Sequence, residues 1–428
     1  MRASRAAGLL AHGHARPTVF ARMSALAART GAANLGQGFP DTDPPPVVAQ
    51  AAIRAIQEGR NQYPPGAGEA VLREAIAEHQ QTWYGLDWDP GTEVLVTTGA
   101  TEALAATVLA LVEPGDEVIT LEPFYDQYAA VIALAGGVHR TVPLRIEPDG
   151  VGGLRTGVDT VALRAAFGPR TRMIIVNSPH NPTGTVLGED VLAAVVEEAG
   201  RHDALIVTDE VYEHLTYDAP HLPIAALPGA RERTVSISSA GKTFSVTGWK
   251  IGWVTAPEPL VTAVTGVKQW LTYTSGAPFQ PAVAEGLRME PSALAGISAD
   301  LRGRRDLLAE GLRAVGFTVA LPQAGYLVVA DAAPLGHDDA AQLCDRLPRE
   351  AGVAAIPLSA FYRAEAGTGS GAGAAGEADP GPRSLLRFAF CKDRPTIELA
   401  IERLAVWAGN EGAGTGTARP PRCGADGP

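Results

Sequence analysis

One lysine stands in unusual surroundings within the segment Ser238–Trp253, which reads SSAGKTFSVTGWKIGW. Lys242 follows a β-branched run and the small pair Ala240-Gly241, and a Gly-Trp-Lys-Ile-Gly cluster comes a few residues later. Most lysines are solvated surface side chains, and that interpretation stays open for Lys242 taken alone. The alternative is a Schiff-base lysine, whose amine condenses with the aldehyde of a bound cofactor.

A pyridoxal cofactor on this lysine would need several partners, and candidates follow predicted strands. Asp209 ends the run ALIVTD, where a carboxylate could keep a pyridine nitrogen protonated. Tyr212 and Asn181 (in SPHNPTG) could donate to the ring oxygen, and Tyr125 (in EPFYDQY) could stack on the ring. Three of them have an ordinary alternative: Asp209 as a helix N-cap, the Asn181 segment as a turn, and Tyr125 as core packing.

A phosphate group would need a cup of donors. Gly99, Ala100 and Thr101 lie between a predicted strand and a predicted helix, where free backbone N–H groups and the helix dipole suit a dianion. Ser239 and Lys250 would add a hydroxyl and a positive charge. The alternative is an ordinary strand-to-helix turn with Thr101 as N-cap.

The elements that must position these residues alternate between Asn34 and Pro257. Short β-branched runs end in Gly, Asp, Asn or Pro, and amphipathic runs follow them. This alternation predicts βαβ units and a largely parallel sheet, whose ligands bind at the carboxyl ends of the strands. The predicted strands are VLVTTG (94–99), EVITLEP (117–123), MIIVNSP (173–179), ALIVTDE (204–210) and TVSISSAG (234–241).

A change in the pattern of residue types near Ser292 predicts a second, smaller α+β domain. A helical stretch, three apolar runs and a last helix (Thr396–Trp407) make up this part. Segments rich in Gly, Ala and Pro cannot offset their ordering entropy, so a loop and a disordered tail are expected. The predicted organisation is a disordered leader (1–16), an arm joining the small domain (17–46), a large domain (47–290), a small domain (291–407) with a flexible insert (364–382), and a tail (408–428).

Composition excludes several classes of function. The chain has 428 residues and a formal net charge of −12, with no basic run, so nucleic acid and anionic membranes are poor partners. Its longest apolar stretch, Ala103–Val112, is half of a membrane span. The three cysteines lie far apart, so neither a disulfide framework nor a Cys metal site is expected, and a reducing, cytoplasmic location is the simplest interpretation.

Eight motifs in order carry a family resemblance that covers about residues 17–407. The chain resembles the pyridoxal-phosphate-dependent aminotransferases of fold type I, class I/II. It is most similar to their kynurenine/glutamine and actinobacterial N-succinyldiaminopimelate branches. The resemblance implies a mostly parallel seven-stranded sheet in a large α/β/α domain. The motifs are LGQGFPD, NQYPPGAG, TTGATEA, EPFYDQY, NSPHNPTG, VTDEVYEHL, SSAGKTFSVTGWKIGW and LLRFAFCKD.

By resemblance, Lys242 is also the acid/base of the proton shift, and the other cofactor residues take the roles considered above. Arg387 implies a clamp for the substrate α-carboxylate, although a surface ion pair is its ordinary alternative. Gly36 would offer a backbone contact to the same carboxylate, and Asn181 would also bind the substrate. Phe20 and Tyr273 would line the side-chain pocket. Tyr63 would reach the phosphate of a neighbouring subunit, which implies a homodimer.

Two departures from the family accompany these roles. Many members carry Arg where this chain has Lys250, although the kynurenine/glutamine branch shares the lysine. The insert 364–382 ends just before Arg387, so it could alter substrate access or extend into solvent, and the second option is preferred.

The implied activity moves an amino group between an L-amino acid and a 2-oxo acid, with glutamate/2-oxoglutarate as one pair. N-succinyl-LL-diaminopimelate, in lysine biosynthesis, is the leading substrate. Kynurenine, glutamine or methionine transamination and carbon–sulfur β-elimination remain alternatives. A ligand-sensing regulator ranks last, because it needs a DNA-binding module and a different charge.

Overall fold

The structure is a computed structural model that describes residues 2–11, 14–363 and 383–414. The predicted insert (364–382) and the part of the predicted tail from 415 onward lie outside the described residues. The α-helices are α1 Arg2–Ala6, α2 Val19–Thr30, α3 Pro46–Gln57, α4 Ala70–Tyr84, α5 Gly99–Leu111, α6 Gln127–Ala135, α7 Thr160–Ala165, α8 Glu189–Arg201, α9 Ala240–Thr243, α10 Glu258–Lys268, α11 Phe279–Leu287, α12 Pro291–Val315, α13 Ala340–Glu350 and α14 Arg394–Gly414. The β-strands are β1 Leu10–Ala11, β2 His14–Ala15, β3 Ala33–Asn34, β4 Val94–Thr98, β5 Glu117–Glu122, β6 Val138–Pro148, β7 Leu154–Val158, β8 Thr171–Asn177, β9 Leu205–Asp209, β10 Thr234–Ser239, β11 Ile251–Thr255, β12 Thr318–Ala320, β13 Leu327–Asp331, β14 Val353–Ala354, β15 Ile356–Pro357 and β16 Leu385–Ala389.

A sheet of mixed direction runs through the molecule. Seven of its strands follow the order β6-β5-β8-β9-β10-β11-β4. The ladders from β6 to β10 are parallel, and only β11 runs against its neighbours. The predicted mostly parallel seven-stranded sheet is therefore confirmed. The sheet then continues from β6 through β7, β12, β13, β16 and β15.

Helices cover both faces of the parallel part. On one face, α5 packs its Ala103, Leu104 and Val108 against strand residues such as Val207. On the other face, α8 packs Val191, Leu192 and Val195 against strand residues of β8 and β9. Because both faces are covered, every residue of β5, β10 and β11 is buried.

The other end of the sheet has its own core. Residues of α12, α13, α14, β13 and β16 pack together, among them Leu308, Leu343 and Phe388. Met23 and Leu35 of the N-terminal arm belong to the same cluster, and β3 pairs in parallel with β14. The arm is thus built into this end of the molecule.

The structure differs from the sequence analysis at several elements. Strands β6, β7 and β11 were not predicted, because charged residues interrupt β6 and glycines interrupt β7 and β11. The leader, expected to be disordered, forms α1 and a β1–β2 hairpin in its described part, and α1 lies against α6. The Arg16 N–H donates to the Leu9 carbonyl oxygen (2.9 Å) and closes the hairpin. No helix among the described residues is long and apolar enough to cross a membrane.

A close backbone contact fixes the start of α5. Strand β11 passes so near this turn that a Cβ on Gly252 would lie 2.5 Å from the carbonyl carbon of Gly99. Gly99 has a φ of +71°, in the left-handed region that favours glycine. Glycine at both positions therefore lets the β4–α5 turn lie against β11, directly beside Lys250.

Candidate active site

The carboxyl ends of β4, β8, β9 and β10 meet at one edge of the sheet, and a cavity opens there. Ten of the eleven residues predicted to hold a cofactor line this cavity, although they come from five separate stretches of the chain. The structure therefore brings together Gly99, Ala100, Thr101, Tyr125, Asn181, Asp209, Tyr212, Ser239, Lys242 and Lys250.

Lys242 is a half-buried side chain whose amine lies at the floor of the cavity. It lies on the single turn α9, directly after β10, and no carboxylate among the described residues pairs with it. Burial lowers the pKa of Lys242, and the nearby positive charges of Arg387 and Lys250 act in the same direction. Asp209 opposes this pKa shift. More of the amine is therefore neutral at neutral pH than for an ordinary lysine, which suits a nucleophile and a proton acceptor.

Asp209 faces the same cavity with one oxygen free. Its Oδ2 accepts a hydrogen bond from the Tyr128 hydroxyl (2.7 Å), whereas its buried Oδ1 has no partner among the described residues. Burial raises the pKa of Asp209, and the Tyr128 bond opposes that rise. Sequence analysis did not select Tyr128. Its only signal was its place three residues after Tyr125, on the following turn.

The segment that carries Asn181 is tied to Asp209 through Asn177, another residue that sequence analysis did not select. Asn177 accepts from the Asn181 backbone N–H (2.7 Å) and donates through Nδ2 to the Asp209 carbonyl oxygen (2.7 Å). Its signal was its position as the first residue of NSPHNPTG. Tyr212 packs edge-on against Tyr326, with ring centroids 5.2 Å apart. Together these contacts hold Asn181 and Tyr212 in place at the cavity.

The first turn of α5 forms one end of the cavity. The N–H groups of Gly99, Ala100 and Thr101 have no intrahelical acceptor, because they open the helix. Ser239 and Lys250 line the same end, and Lys250 holds a φ of +57°. Free amides, a hydroxyl and an ammonium group at a helix N-terminus suit a phosphate.

Arg387 is fully buried beside the cavity and is not the surface ion pair that the sequence left open. Its guanidinium donates to Asn181 Oδ1 (3.2 Å) and to the Gly36 carbonyl oxygen (2.9 Å). It lies 5.3 Å from the ring centroid of Phe20 and 4.7 Å from that of Phe361. Burial lowers the pKa of Arg387 to about 10, and its Nε has no partner among the described residues.

A second cavity adjoins the first and holds the predicted substrate residues Phe20, Asn181 and Arg387. Gln37, Phe39 and Leu327 also line it, and sequence analysis did not select them. Gly36 lies behind Arg387. Its N–H donates to Asn34 Oδ1 (3.1 Å), and its carbonyl oxygen is used by the guanidinium.

Two predicted residues, Tyr63 and Tyr273, lie outside both cavities of this chain. Tyr63 is largely exposed and Tyr273 is 41% exposed, and their rings meet edge-on with centroids 5.7 Å apart.

The charged and polar groups of the cavity fit pyridoxal phosphate. The free Asp209 Oδ1 fits a protonated ring nitrogen, because an unpaired buried carboxylate oxygen is costly. The desolvated Lys242 amine fits the aldehyde, the α5 terminus fits the phosphate, and the Tyr125 ring lines the cavity beside them.

Comparisons with known proteins agree with this geometry. The family model described as aminotransferase class I and II matches residues 30–404. A Mycobacterium tuberculosis protein described as a probable N-succinyldiaminopimelate aminotransferase is 54% identical, over 91% of this chain and 96% of that protein. A methionine aminotransferase of Escherichia coli is 38% identical, over 90% and 95% of the two chains. A kynurenine–oxoglutarate transaminase of Dictyostelium discoideum is 33% identical, over 91% and 93%.

Solved structures give the same result. The structure of N-succinyldiaminopimelate aminotransferase from Mycobacterium tuberculosis superposes with a TM-score of 0.84 and 52% identity, covering 91% of this chain and 97% of that one. With the family model, these relatives and this superposition in agreement, the chain belongs to the class I and II aminotransferases, which are pyridoxal-phosphate-dependent enzymes.

Proposed function

We propose that this enzyme transfers the amino group of N-succinyl-LL-diaminopimelate to 2-oxoglutarate, a step of lysine biosynthesis. One observation carries the proposal. Buried Arg387, which pairs with no carboxylate among the described residues, lies beside the cavity that holds the Lys242 amine, whose pKa is lowered, and the unpartnered Asp209 Oδ1. The relative named for this substrate, at 54% identity over most of both chains, supports the choice of amino donor.

The proposed roles follow from the chemistry of each side chain. When bound, pyridoxal phosphate supplies an aldehyde for amine exchange and a protonated ring that draws electrons from the substrate Cα. Asp209 would hold the ring-nitrogen proton through Oδ1. Lys242 would accept the Cα proton and deliver it to the carbon that was the cofactor's aldehyde carbon. Arg387 would bind the α-carboxylate and hold the Cα beside Lys242.

The ring and phosphate contacts complete this arrangement. Tyr212 and Asn181 would donate to the ring oxygen. Tyr125 would cover one ring face and exclude water. The amides of the α5 terminus, with Ser239 and Lys250, would bind the phosphate.

A second candidate, transamination of an uncharged amino acid such as methionine or kynurenine, is favoured by the lining of the substrate cavity. Phe20, Phe39 and Leu327 are apolar, and among the described lining residues Arg387 and Lys242 are the only cations. A succinyl carboxylate would need a further cation beyond these two. A carbon–sulfur β-lyase would use the same cofactor residues.

Domain organisation and location are further parts of this proposal. Separate apolar cores support a large domain (47–290) and a small domain (291–407) that the arm (17–46) joins. Cys344 and Cys391 are buried free thiols, which supports a reducing, cytoplasmic location.

We expect a homodimer in which Tyr63 completes the phosphate site of the partner subunit. Tyr63 and Trp270 are 82% and 84% exposed, and with Leu271 and Tyr273 they form an apolar surface beside the cavity that a dimer would bury. Light scattering should give twice the monomer mass. A monomer that turns over at full rate would contradict the shared site.

The substrate is tested by single-turnover absorbance changes of the cofactor-loaded enzyme without acceptor. The donors are N-succinyl-LL-diaminopimelate, glutamate, kynurenine, glutamine, methionine and cystathionine. The succinyl compound should react at least about tenfold faster than the neutral amino acids, as expected for one additional bound carboxylate. Faster reaction with methionine or kynurenine would assign the second candidate, and pyruvate release from cystathionine would assign the lyase.

Replacing Tyr128 by Phe tests the role of Asp209 through pH. The Tyr128 hydroxyl stabilises the ionised carboxylate, so its loss should raise the pKa of Asp209 further. Because the ionised form is the active one, the acid limb of kcat/KM should move to higher pH by about one unit. Tyr217→Phe is the matched control, since that buried hydroxyl donates to the Gly325 carbonyl oxygen instead. An unmoved acid limb in Tyr128→Phe, or an equal shift in Tyr217→Phe, would contradict the role.

A further inference from the structure

A buried polar layer lies directly behind the cofactor residues. We define it as His79, Tyr84, Glu213, His214, Ser238 and Thr243. Several of its members are chain neighbours of residues that line the cavity: Thr243 follows Lys242, Ser238 precedes Ser239, and Glu213 follows Tyr212. His79, Glu213, His214, Ser238 and Thr243 are all buried. The layer serves none of the cofactor contacts proposed above.

A hydrogen-bonded chain crosses this layer from α4 to α9. His79 Nε2 and His214 Nε2 lie 2.7 Å apart, and His214 Nδ1 lies 2.9 Å from Thr243 Oγ1. One of the two facing Nε2 atoms must accept the proton of the other, so at least one ring is neutral. A neutral His214 donates through one nitrogen and accepts through the other, which couples the His79 bond to the Thr243 bond.

The distances favour a shared proton over a metal ion. One ligand atom each of His79, Glu213 and His214 lie within 4.8 Å of one another, which is compatible with a loose metal cluster. Two imidazole nitrogens on one tetrahedral zinc ion, however, lie about 3.4 Å apart, given Zn–N bonds of about 2.1 Å. The separation of 2.7 Å is that of a hydrogen bond.

The Glu213 carboxylate beside the chain is held by hydroxyl groups. Glu213 Oε1 accepts from Ser238 Oγ (2.5 Å), and the Tyr84 hydroxyl lies beside the same carboxylate. Glu210 has His221 Nε2 at 3.4 Å. Among the described residues, no lysine or arginine pairs with Glu210 or Glu213. The layer is therefore fixed by directional hydrogen bonds and not by an excess of charge.

The turn that carries Lys242 has little support of its own. Helix α9 spans only Ala240–Thr243, and its N-cap, Ser239, makes no side-chain capping bond. Isolated turns of this length are not stable by themselves. The Thr243 hydroxyl bond to His214 is therefore an external anchor at the residue next to the amine.

We propose that His79 and His214 are positioning residues for Lys242, acting through the Thr243 hydroxyl. The inference rests on the proposed cofactor role of Lys242. The chain fixes the rotation of α9, and hence the direction in which the Lys242 amine enters the cavity. His79 acts at the far end because its ring sets the proton direction and orientation of His214.

The test uses the cofactor-loaded enzyme and the variants His79→Leu, Thr243→Val and their double. Each single variant should lower kcat about tenfold with KM changed less than about twofold, because a slightly misplaced group slows chemistry more than binding. Each should also move the pH midpoint of the bound-cofactor absorbance by more than about 0.3 unit. The double should be no worse than the more affected single, because both substitutions break one chain.

Two conservative variants and one control complete the design. His79→Gln and Thr243→Ser keep a hydrogen-bonding group and should restore most of kcat and the midpoint. If His79→Leu does not fold, Thr243→Val against Thr243→Ser decides the question. His139→Leu is the matched control, because it breaks another histidine–threonine bond, the partly buried one to Thr120 (2.8 Å), outside the layer. It should lower Tm without moving the midpoint.

Two results would overturn the proposal. One is a fall in Tm in His79→Leu and Thr243→Val with kcat and the midpoint unchanged, as in the control. The other is an additive loss in the double variant. Failure of the proposed function is separate: it would appear as a cofactor absorbance band that is unchanged in Lys242→Ala.

Discussion

The structure depends on three charged side chains, one buried and two half-buried, that have no ion-pair partner among the described residues. Lys242, Asp209 and Arg387 lie around one cleft, and burial shifts each pKa toward the neutral form. Removing charges from water is costly unless hydrogen bonds or opposite charges compensate. Here the fold supplies only part of that compensation, through Tyr128, Asn181 and the Gly36 carbonyl oxygen. The bound cofactor and the substrate carboxylate would supply the hydrogen bonds and opposite charges that the fold leaves out.

The parallel sheet makes this arrangement possible because it leaves the backbone at the strand ends little conformational freedom. The strand ends hold their side chains at a fixed spacing. Because Gly99 and Gly252 have no Cβ, the β4–α5 turn at the phosphate end of the cavity can lie against β11, beside Lys250. Behind the strands, the buried polar layer orients the short turn that carries the amine. The site is therefore held from the front by the cavity residues and from behind by hydrogen bonds between residues distant in sequence.

Much of the placement of the site residues could be predicted from the sequence. The predicted strand ends place Gly99, Asp209 and Lys242 at the same edge of a parallel sheet. Residues that act through tertiary contacts could not be predicted from the sequence. The Tyr128 hydroxyl reaches Asp209 only because α6 packs across the strand ends. No local sequence pattern predicts the direction in which α6 packs. The same limit applies to Asn177 and to the histidine pair, whose members are 135 positions apart. Tyr63 and Tyr273 lie outside this chain's own cavities, where a contact between subunits, not local sequence, would decide their role.

The absorbance spectrum of the purified, cofactor-loaded protein, compared with that of Lys242→Ala, tests the central claim most directly. A desolvated amine at Lys242 should bind the cofactor aldehyde covalently, so the wild-type protein should show a band that borohydride fixes onto the chain. Peptide mapping should then place the cofactor on Lys242, and the variant should lack both the band and the adduct. An unchanged band in Lys242→Ala, or an adduct on another lysine, would contradict the account.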